Sequence, residues 1–256
     1  MIKSVAIVTG ASSGIGRATA LRLARDFSAL TLVARRSDRL EAVAEEVRIA
    51  GAEVRVVAAD LSLSETAGAV VATTLEKFGR IDAVLNIAGA VPGIDLFALT
   101  EEQWAAGFEL KLHGARRLAL AAWPALRKSY GSLVFTSGTG AVIPTAATAA
   151  IGTINAAVEV LAKAFADQGI ADGVQVNSVS PGLVMTDRRR GLISKWAQSM
   201  GIEFEEAEAE LKARAGIARY GRPEEIADLF AFTVSPIARW MTGMVLRMDG
   251  GEVKAV

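Results

Sequence analysis

The stretch Val5-Ala-Ile-Val-Thr-Gly-Ala-Ser-Ser-Gly-Ile-Gly16 decides the fold of this chain. Its first four residues are apolar, which is typical of a short buried strand, and residues 17–27 show a helical pattern. The glycines between them permit a tight turn and let the backbone approach a pyrophosphate, while the helix N-terminus supplies free N–H groups. A strand, a glycine-rich turn and a helix in this order therefore predict a dinucleotide-binding site.

Short apolar runs alternate with longer amphipathic runs along the rest of the chain. They predict strands at residues 5–8, 30–33, 54–58, 83–85, 132–136 and 174–179, and helices at residues 17–27, 38–50, 64–78, 101–128 and 146–166. The strands are continuously apolar, as expected when both faces of a parallel sheet are covered. Repeated βα units imply right-handed crossovers. We therefore predict an α/β fold: a doubly wound Rossmann-type domain with a mostly parallel sheet between helix layers. The sheet is expected to be seven-stranded, with one strand more than the six located here.

The chain shows no linker, low-complexity tract or internal repeat, so we predict a single domain over residues 1–256. Residues 186–215 interrupt the alternation of strands and helices and are mostly helical and charged. In sheets of this kind, ligands bind outside the carboxyl ends of the strands. We therefore expect residues 186–215 to form a helical insertion over the ligand site.

The composition limits the classes of function that fit the chain. Hydrophobic residues make up 52% and charged residues 22%, and 28 Lys and Arg balance 28 Asp and Glu. This balance gives no field that favours nucleic acid or a membrane surface. The absence of cysteine excludes disulfides and thiolate chemistry, and the single histidine, His113, argues against a metal site. Met1 to Ser4 run directly into the first strand, and we find no apolar run of membrane-spanning length, so we expect a cytoplasmic protein.

Short motifs follow the predicted strands in a fixed order. In the first turn the glycine spacing is G-x-x-x-G-x-G, directly after a threonine. The later motifs are Asp60-Leu61, Asn86-Ile87-Ala88-Gly89, Ser137, Pro181-Gly182 with Thr186, and the stretches at residues 221–227 and 242–251. Along nearly the whole chain they resemble the short-chain dehydrogenase/reductase family, in its branch of 3-oxoacyl-acyl-carrier-protein reductases. Ile87 departs from the second asparagine of that family's Asn-Asn-Ala-Gly motif.

The resemblance implies an NAD(P)-binding domain and indicates which residues contact the cofactor. The pair Asp60-Leu61 would contact the adenine, and the loop at Pro181-Gly182 would hold the nicotinamide carboxamide. The full set of expected cofactor residues, apart from two arginines, is Gly10, Ser12, Ser13, Gly14, Ile15, Gly16, Asp60, Leu61, Asn86, Ala88, Gly89, Pro181, Gly182, Val184 and Thr186.

Two arginines at the end of the second strand indicate which dinucleotide is bound. An acidic residue there would accept hydrogen bonds from the adenosine ribose of NAD, whereas the planar arginine fork suits a 2′-phosphate. Arg35 is the first choice for that contact and Arg36 the second, with Ser12 as a third phosphate contact. The pair favours NADP(H) over NAD(H). The alternative is that the arginines, with nearby Arg39, are a solvated basic helix start.

The positions that would hold the family's proton donor carry other residues in this chain. In the family, a tyrosine donates a proton to the carbonyl oxygen, a lysine lowers the pKa of that tyrosine, and a serine binds the same oxygen. The resemblance places the serine at Ser137, the tyrosine at Ile151 and the lysine at Asn155. No change of register restores the motif, because the two tyrosines of the chain, Tyr130 and Tyr220, lie outside this region.

A lysine and an asparagine stand in each other's expected places. The family's fourth active-site residue is an asparagine in a helix pattern that here reads Phe108-Glu-Leu-Lys-Leu-His-Gly114, so Lys111 occupies its position. Because the two positions are neighbours in the family's site, we hypothesise that Lys111 and Asn155 exchanged roles. A partly desolvated Lys111 with a depressed pKa could then serve as the acid. The alternative is drift after loss of catalysis, with Lys111 pointing to solvent.

Three interpretations of the function follow. The first is an NADP(H)-binding oxidoreductase that acts on a small carbonyl or alcohol through an atypical active site. The second is a catalytically inactive dinucleotide-binding sensor or partner subunit, and the third is non-redox elimination or hydration through Ser137 and Lys111. Residues 91–99 and 183–215 would form the substrate wall, where Arg188-Arg189-Arg190 could bind a carboxylate or phosphate. The resemblance also implies a homodimer or homotetramer, paired through the long alanine-rich helices.

Overall fold

The computed structural model describes residues 3–255 and is built on one seven-stranded sheet. Every strand pairing is parallel, and the spatial order of the strands is β3-β2-β1-β4-β5-β6-β7. The strands are β1 (Val5–Thr9), β2 (Ala29–Ala34), β3 (Glu53–Ala58), β4 (Ala83–Asn86), β5 (Ser132–Thr136), β6 (Gln175–Pro181) and β7 (Val245–Met248). The prediction of a doubly wound α/β fold is confirmed, with a sheet that is parallel throughout.

Helices cover both faces of this sheet. They are α1 (Gly14–Leu23), α2 (Ser37–Ile49), α3 (Thr66–Phe78), α4 (Glu101–Phe108), α5 (Ala115–Ser129), α6 (Ala149–Asp172), α7 (Asp187–Met200), α8 (Phe204–Ala215) and α9 (Pro223–Thr233). On one face α1, α2 and α9 pack around buried side chains such as Leu23 and Phe230. On the other face α3, α5 and α6 pack around Leu118 and Val158. Both faces of the central strands are therefore buried, as their apolar sequences predict.

The chain reverses its direction of travel across the sheet at β1. It runs from β1 outward through β2 to β3, then crosses back so that β4 lies on the other side of β1. In open α/β sheets such a reversal leaves a crevice at the carboxyl ends of the two central strands, and ligands bind there. The motifs predicted from sequence follow these strand ends, so the fold places them along one edge.

Differences from the predicted elements have physical causes. β3 and β7 are partly exposed because each is an edge strand with a neighbour on one side only. The helix predicted at residues 101–128 is divided into α4 and α5 by a π-helical turn, Glu109–Gly114. The helix predicted at residues 146–166 begins with a 3₁₀ turn, Ala146–Thr148, and extends to Asp172. Apolar periodicity shows which face is buried, but it does not show a local change of helix type.

The predicted insertion consists of α7 and α8. These helices pack against each other around Ile193, Ala197 and Ala207. Thr186, the residue before α7, lies next to Gly14 at the start of α1. The insertion therefore begins at the carboxyl edge of the sheet.

One helical segment, Ala146–Asp172, is long and apolar enough to cross a membrane by length and composition. The expectation that no apolar run reaches this length is therefore wrong. The buried residues of α6, including Val158, Ala162 and Ala166, pack against the sheet as in the core helix of a globular protein. Met1 and Ile2, which entered the expectation about the start of the chain, lie outside the described residues.

Candidate active site

The turn between β1 and α1 is shaped by its glycines. Gly10 has a φ of +67° and Gly14 a φ of +53°, a left-handed conformation that favours glycine. A Cβ on Gly16 would lie 2.2 Å from the carbonyl oxygen of Gly10, so no side chain fits there. Ser13 precedes α1 without capping it through its side chain, and the first turn of α1 has no acidic residue. The N-terminus of α1 therefore keeps N–H groups and its positive dipole end for a phosphate.

Thr9 joins the two central strands beside this turn. Its hydroxyl accepts hydrogen bonds from the backbone N–H groups of Ile87 and Ala88, each at 2.9 Å, and donates to the Leu85 carbonyl at 3.3 Å. A Cβ on Gly10 would lie 3.1 Å from the backbone of Ala88. The loop after β4 is therefore fixed against the glycine turn. The sequence analysis missed this role because no local pattern connects a threonine to partners so distant along the chain.

The crevice also has an unpaired donor and a close opposite wall. Asn86 at the end of β4 is 5% exposed, and its side-chain nitrogen has no hydrogen-bond partner among the described residues. Across the crevice, a Cβ on Gly14 would come within 3.2 Å of the Thr186 methyl carbon. Val184 pairs with Gly221 in a parallel bridge, which fixes the loop that carries Thr186. A buried donor that lacks a partner and a turn open to backbone approach both fit a bound dinucleotide.

The opposite end of the crevice lies beyond β2 and β3. Arg35 and Arg36 form the connection between β2 and α2, and both are exposed. Arg35 Nη1 lies 4.0 Å from Asp60 Oδ2. The backbone N–H and the hydroxyl of Ser62 donate to Asp60 Oδ1 at 3.0 and 2.8 Å, and these bonds, with the Arg35 charge, lower the pKa of Asp60. Leu61 is buried in the core. Two residues predicted from separate motifs, Arg35 and Asp60, therefore meet here, and the guanidinium stays open to a phosphate.

Lys111 and Asn155 are in direct contact. Lys111 Nζ donates to Asn155 Oδ1 at 2.5 Å and to the carbonyl oxygen of Ser137 at 3.0 Å. Asn155 is 2% exposed, and its Nδ2 donates to the Gly138 carbonyl at 3.5 Å. Gly89 leaves room for the lysine stem, since a Cβ on it would lie 3.0 Å from Lys111 Cδ. The structure brings together the two residues of the predicted exchange, and Lys111 points into the site rather than to solvent.

The π-helical turn Glu109–Gly114 sets the direction of Lys111. A π turn holds one residue more than an α-helical turn, so it changes the direction of the side chains within it, and such turns are frequent at functional sites. Gly114 lets the turn approach the end of β3, because a Cβ on it would lie 2.5 Å from the Leu61 carbonyl oxygen. The predicted regular helix could not show this geometry.

Burial, together with the positive charge of Arg188, lowers the pKa of Lys111 to about 8. The carboxylate of Glu159, one turn beyond Asn155 on α6, acts in the opposite direction and limits this shift. One carboxylate oxygen of Glu159 is buried without a hydrogen-bond partner among the described residues. An ammonium with a pKa of about 8 is mostly protonated at neutral pH, yet it gives up its proton more easily than an ordinary lysine. Lys111 therefore has the charge state and acidity of a general acid.

Ser137 and Ile151 make different kinds of contact in this site. The Ser137 hydroxyl donates to the Val179 carbonyl at 3.5 Å, and the residue is 4% exposed. The group that Ser137 offers to Lys111 is its backbone carbonyl. Ile151 packs in an apolar cluster that includes Val91 of the loop after β4. The structure thus does not bring the Ser137 hydroxyl to Lys111, and it surrounds Ile151 with hydrocarbon.

The tyrosines do not replace the missing one. Tyr130 ends α5 with a φ of +52°, lies at the amino end of β5 and is 71% exposed, so it is at the opposite edge of the sheet. Tyr220 is 6% exposed and packs with α7 and α8. Burial raises the pKa of Tyr220, which makes this phenol a weaker acid than an ordinary tyrosine.

Further charged groups line the side of the crevice that α7 covers. Arg188 Nη2 donates to the Val91 carbonyl at 2.8 Å and so connects α7 to the loop after β4. Burial lowers the pKa of the neighbouring Arg189, which faces Tyr220 and Glu252. Among residues 3–255, no group of His, Asp and Glu side chains is arranged to hold a metal ion.

Glu252 lies beside the predicted nicotinamide loop. Thr139 Oγ1 donates to Glu252 Oε2 at 3.1 Å, and burial raises the pKa of the Glu252 carboxyl. A Cβ on Gly182 would lie 2.8 Å from Glu252 Oε2, so the glycine that follows Pro181 leaves room for this carboxyl group. Thr139 and Glu252 were not predicted as site residues. The sequence carries one weak signal for such a role, because each residue follows a strand that ends at this edge of the sheet.

Known proteins match nearly the whole chain, including the segments that line the crevice. A family model described as enoyl-(acyl carrier protein) reductase matches residues 10–252. A 3-oxoacyl-[acyl-carrier-protein] reductase of Synechocystis sp. is 32% identical over 252 residues, which are 97% of this chain and 96% of the relative. L-sorbose reductase of Gluconobacter frateurii, solved with NADPH and L-sorbose, matches with a TM-score of 0.95 and 30% identity over 100% of this chain and 98% of that chain. A variant of actinorhodin polyketide ketoreductase, solved with NADPH, matches with a TM-score of 0.91 and 30% identity over 97% of each chain.

Proposed function

This chain belongs to the short-chain reductase family that the enoyl-(acyl carrier protein) reductase model describes, and on that premise we propose that it is an NADP(H)-dependent reductase of a small carbonyl compound. The glycine turn, the unpaired Asn86 amide and the exposed Arg35 support binding of this cofactor. NADPH is also the cofactor in the two solved reductases named above. We also propose that the protein acts in the cytoplasm and binds neither nucleic acid nor a membrane.

One observation carries the proposed reaction: Lys111 is partly buried, its ammonium is held by Asn155 and the Ser137 carbonyl, and it is acidic for a lysine. When bound, NADPH supplies the hydride for the carbonyl carbon. Lys111 donates a proton to the carbonyl oxygen as negative charge develops on it, and the resulting neutral amine takes a proton from solvent. Asn155 holds Nζ in one position throughout, so the acid needs no rearrangement before transfer.

Titration and turnover assays test this proposal. We expect NADPH to bind with a dissociation constant at least tenfold lower than that of NADH, because Arg35 offers donors to the 2′-phosphate. We then expect NADPH consumption with at least one member of a panel of small aldehydes and ketones. Absence of binding by either nucleotide would overturn the cofactor assignment, and binding without consumption would overturn the reaction.

A second candidate function is supported by Ile151. A hydrocarbon in an apolar cluster cannot donate a proton, so the same site could serve a dinucleotide-binding sensor or a partner subunit. The two functions differ in one measurement. A reductase consumes NADPH with a carbonyl present, whereas a sensor binds NADPH tightly and changes its conformation or its partner affinity without consuming it.

We also propose that the chain forms a homodimer or homotetramer. Large apolar side chains are exposed on α5 and α6: Leu120 is 51% exposed, Val160 72% and Ile170 73%. Burial of these side chains against another copy would remove them from water. Light scattering after size exclusion should give a mass of two or four chains, and the mass of a single chain would contradict the proposal.

A further inference from the structure

We propose that the substrate carries an anionic group, a carboxylate or a phosphate ester, held by the Arg188 guanidinium while the carbonyl of the same molecule faces Lys111. This inference rests on the proposed function, since it names the substrate class of that site. It assigns a binding role to Arg188 at the first turn of α7. Three observations support it: unused donors, unbalanced charge and the position of Arg188 on the helix.

Both cations have donors left for a ligand. A lysine ammonium has three N–H bonds, and Lys111 uses two of them on Asn155 and Ser137. Arg188 has five donors in a planar fork, and its one hydrogen bond among the described residues is that from Nη2 to the Val91 carbonyl. This bond connects the guanidinium to the loop after β4 and leaves the other donors for a planar anion. Carboxylate and phosphate are the groups that match such a fork.

The positive charges near the crevice are not balanced by ion pairs. Arg188 is close enough to Lys111 for its charge to disfavour the protonated lysine. The acids in range are Glu159, whose charge acts on Lys111, Glu252, whose charge acts on Arg189, and Asp187, which precedes Arg188 in the same turn of α7. Among residues 3–255, none of these acids forms an ion pair with these cations. Two like charges turned toward one crevice cost free energy, and an anion bound between them offsets that cost.

The position of Arg188 on α7 is locally unfavourable. It lies with Arg189 in the first turn of the helix, where the positive end of the dipole favours acidic side chains. Thr186 already caps the helix by accepting from the Arg189 N–H at 3.3 Å, so the arginines do not supply the cap. Arg188 therefore has no evident local role in the helix. Its bond to Val91 and its exposure agree with a role in binding.

Matched pairs of substrates test the inference. The protein with NADPH would be assayed with 4-oxopentanoate and its methyl ester, and with dihydroxyacetone phosphate and dihydroxyacetone. We expect kcat/KM to be at least about tenfold higher for the charged member of one pair, and the pair that responds distinguishes carboxylate from phosphate. Arg188→Met should remove this preference by raising KM while kcat changes little, and Arg188→Lys should keep part of it. Lys195→Met, an exposed cation on the same helix, should leave the preference intact.

The outcomes separate this inference from the proposed function. Equal use of both members of each pair, or a preference for the neutral member, overturns the anionic substrate and leaves the reductase standing. If no compound is consumed, the proposed reduction fails, and calorimetric titration of the protein–NADPH complex with the same compounds decides the inference. Binding of a charged member that weakens in Arg188→Met supports the anion site. Equal affinity of the native protein and Arg188→Met, or no binding of any compound, overturns it.

Discussion

The glycine turn at residues 10–16 and the Lys111–Asn155 pair lie at the same edge of one sheet, but different parts of the chain make their chemistry. The turn offers backbone N–H groups, and Gly16 cannot accept even a methyl group. The proposed proton-transfer site consists of side chains, and a side chain can reach the same point from more than one backbone position. A site made of backbone groups therefore requires a particular residue type at each position. A lysine and an asparagine, in contrast, can exchange positions and still meet.

The largest effect on NADPH binding should follow from Gly16→Ala. The new Cβ would lie 2.2 Å from the Gly10 carbonyl oxygen, so the turn must open and the N-terminus of α1 must move. We expect NADPH affinity to fall by about 100-fold or more, the equivalent of about 3 kcal/mol. Fluorescence titration with NADPH measures the change. Gly68→Ala in α3 is the control, because a Cβ there meets nothing within 4 Å. Undiminished affinity in Gly16→Ala would show that the backbone turn does not hold the phosphates.

Lys111→Met should affect the other region. Loss of a positioned acid costs about 10²–10⁴ in rate, so kcat for carbonyl reduction should fall by this factor. NADPH affinity should change by less than about tenfold, because the glycine turn is untouched. In the native protein, reduction should slow as the pH rises through about 8, since the acid must be protonated, and the variant should lack this dependence. Unchanged activity and unchanged NADPH affinity would contradict the exchange of Lys111 and Asn155.

Arg35→Met separates the two ends of the cofactor. Loss of a charge-assisted contact to the 2′-phosphate should weaken NADPH binding by about 10- to 100-fold. NADH affinity should stay the same, because NADH has no such phosphate. Calorimetry with both nucleotides measures the difference, and Arg39→Met is the control for a general loss of positive charge. If the binding of both nucleotides weakens equally, Arg35 contributes through general surface charge and not through a contact with the 2′-phosphate.

Asn155→Asp should give a smaller and more specific change. The substitution keeps the shape of the side chain and places a carboxylate 2.5 Å from the ammonium of Lys111. An opposite charge at this distance favours the protonated lysine, so the pKa of Lys111 should rise by about one unit or more. The pH at which reduction slows should rise by the same amount. A pH profile that does not move would mean that Lys111 is not the acid that the profile reports.

The sequence predicted most of the fold because parallel strands and their helices have strong local signals. The buried strands read as apolar runs, and the order of motifs indicated which strand ends meet. Arg35 and Asp60 were assigned to the same end of the cofactor from separate motifs, and they lie within 4.0 Å. Residues near the edges were predicted less well, since the exposure of β3 and β7 depends on which strands neighbour them.

The parts that could not be predicted depend on geometry or on distant partners. The direction of the Lys111 side chain follows from the π turn. This turn does not alter the spacing of apolar residues enough to be recognised in the sequence. The Ser137 hydroxyl is predicted to bind the substrate's carbonyl oxygen, and that remains a prediction; the contact of its backbone carbonyl with Lys111 could not be foreseen from the sequence. Thr139 and Glu252 meet only because β5 and β7 end at the same edge of the sheet. Such contacts appear only when strand order and register are known.

The most direct test of an acid relocated to Lys111 needs no substrate. Protein labelled with ¹³C at lysine Cε would be titrated by NMR between pH 6 and pH 11, in the native form and as Lys111→Met. Because burial disfavours the charged ammonium, we predict one lysine signal that titrates at a pH of about 8 and is missing from the variant. If no lysine signal of the native protein titrates near pH 8, or if such a signal persists in Lys111→Met, Lys111 is not the acidic ammonium that the proposed reaction requires.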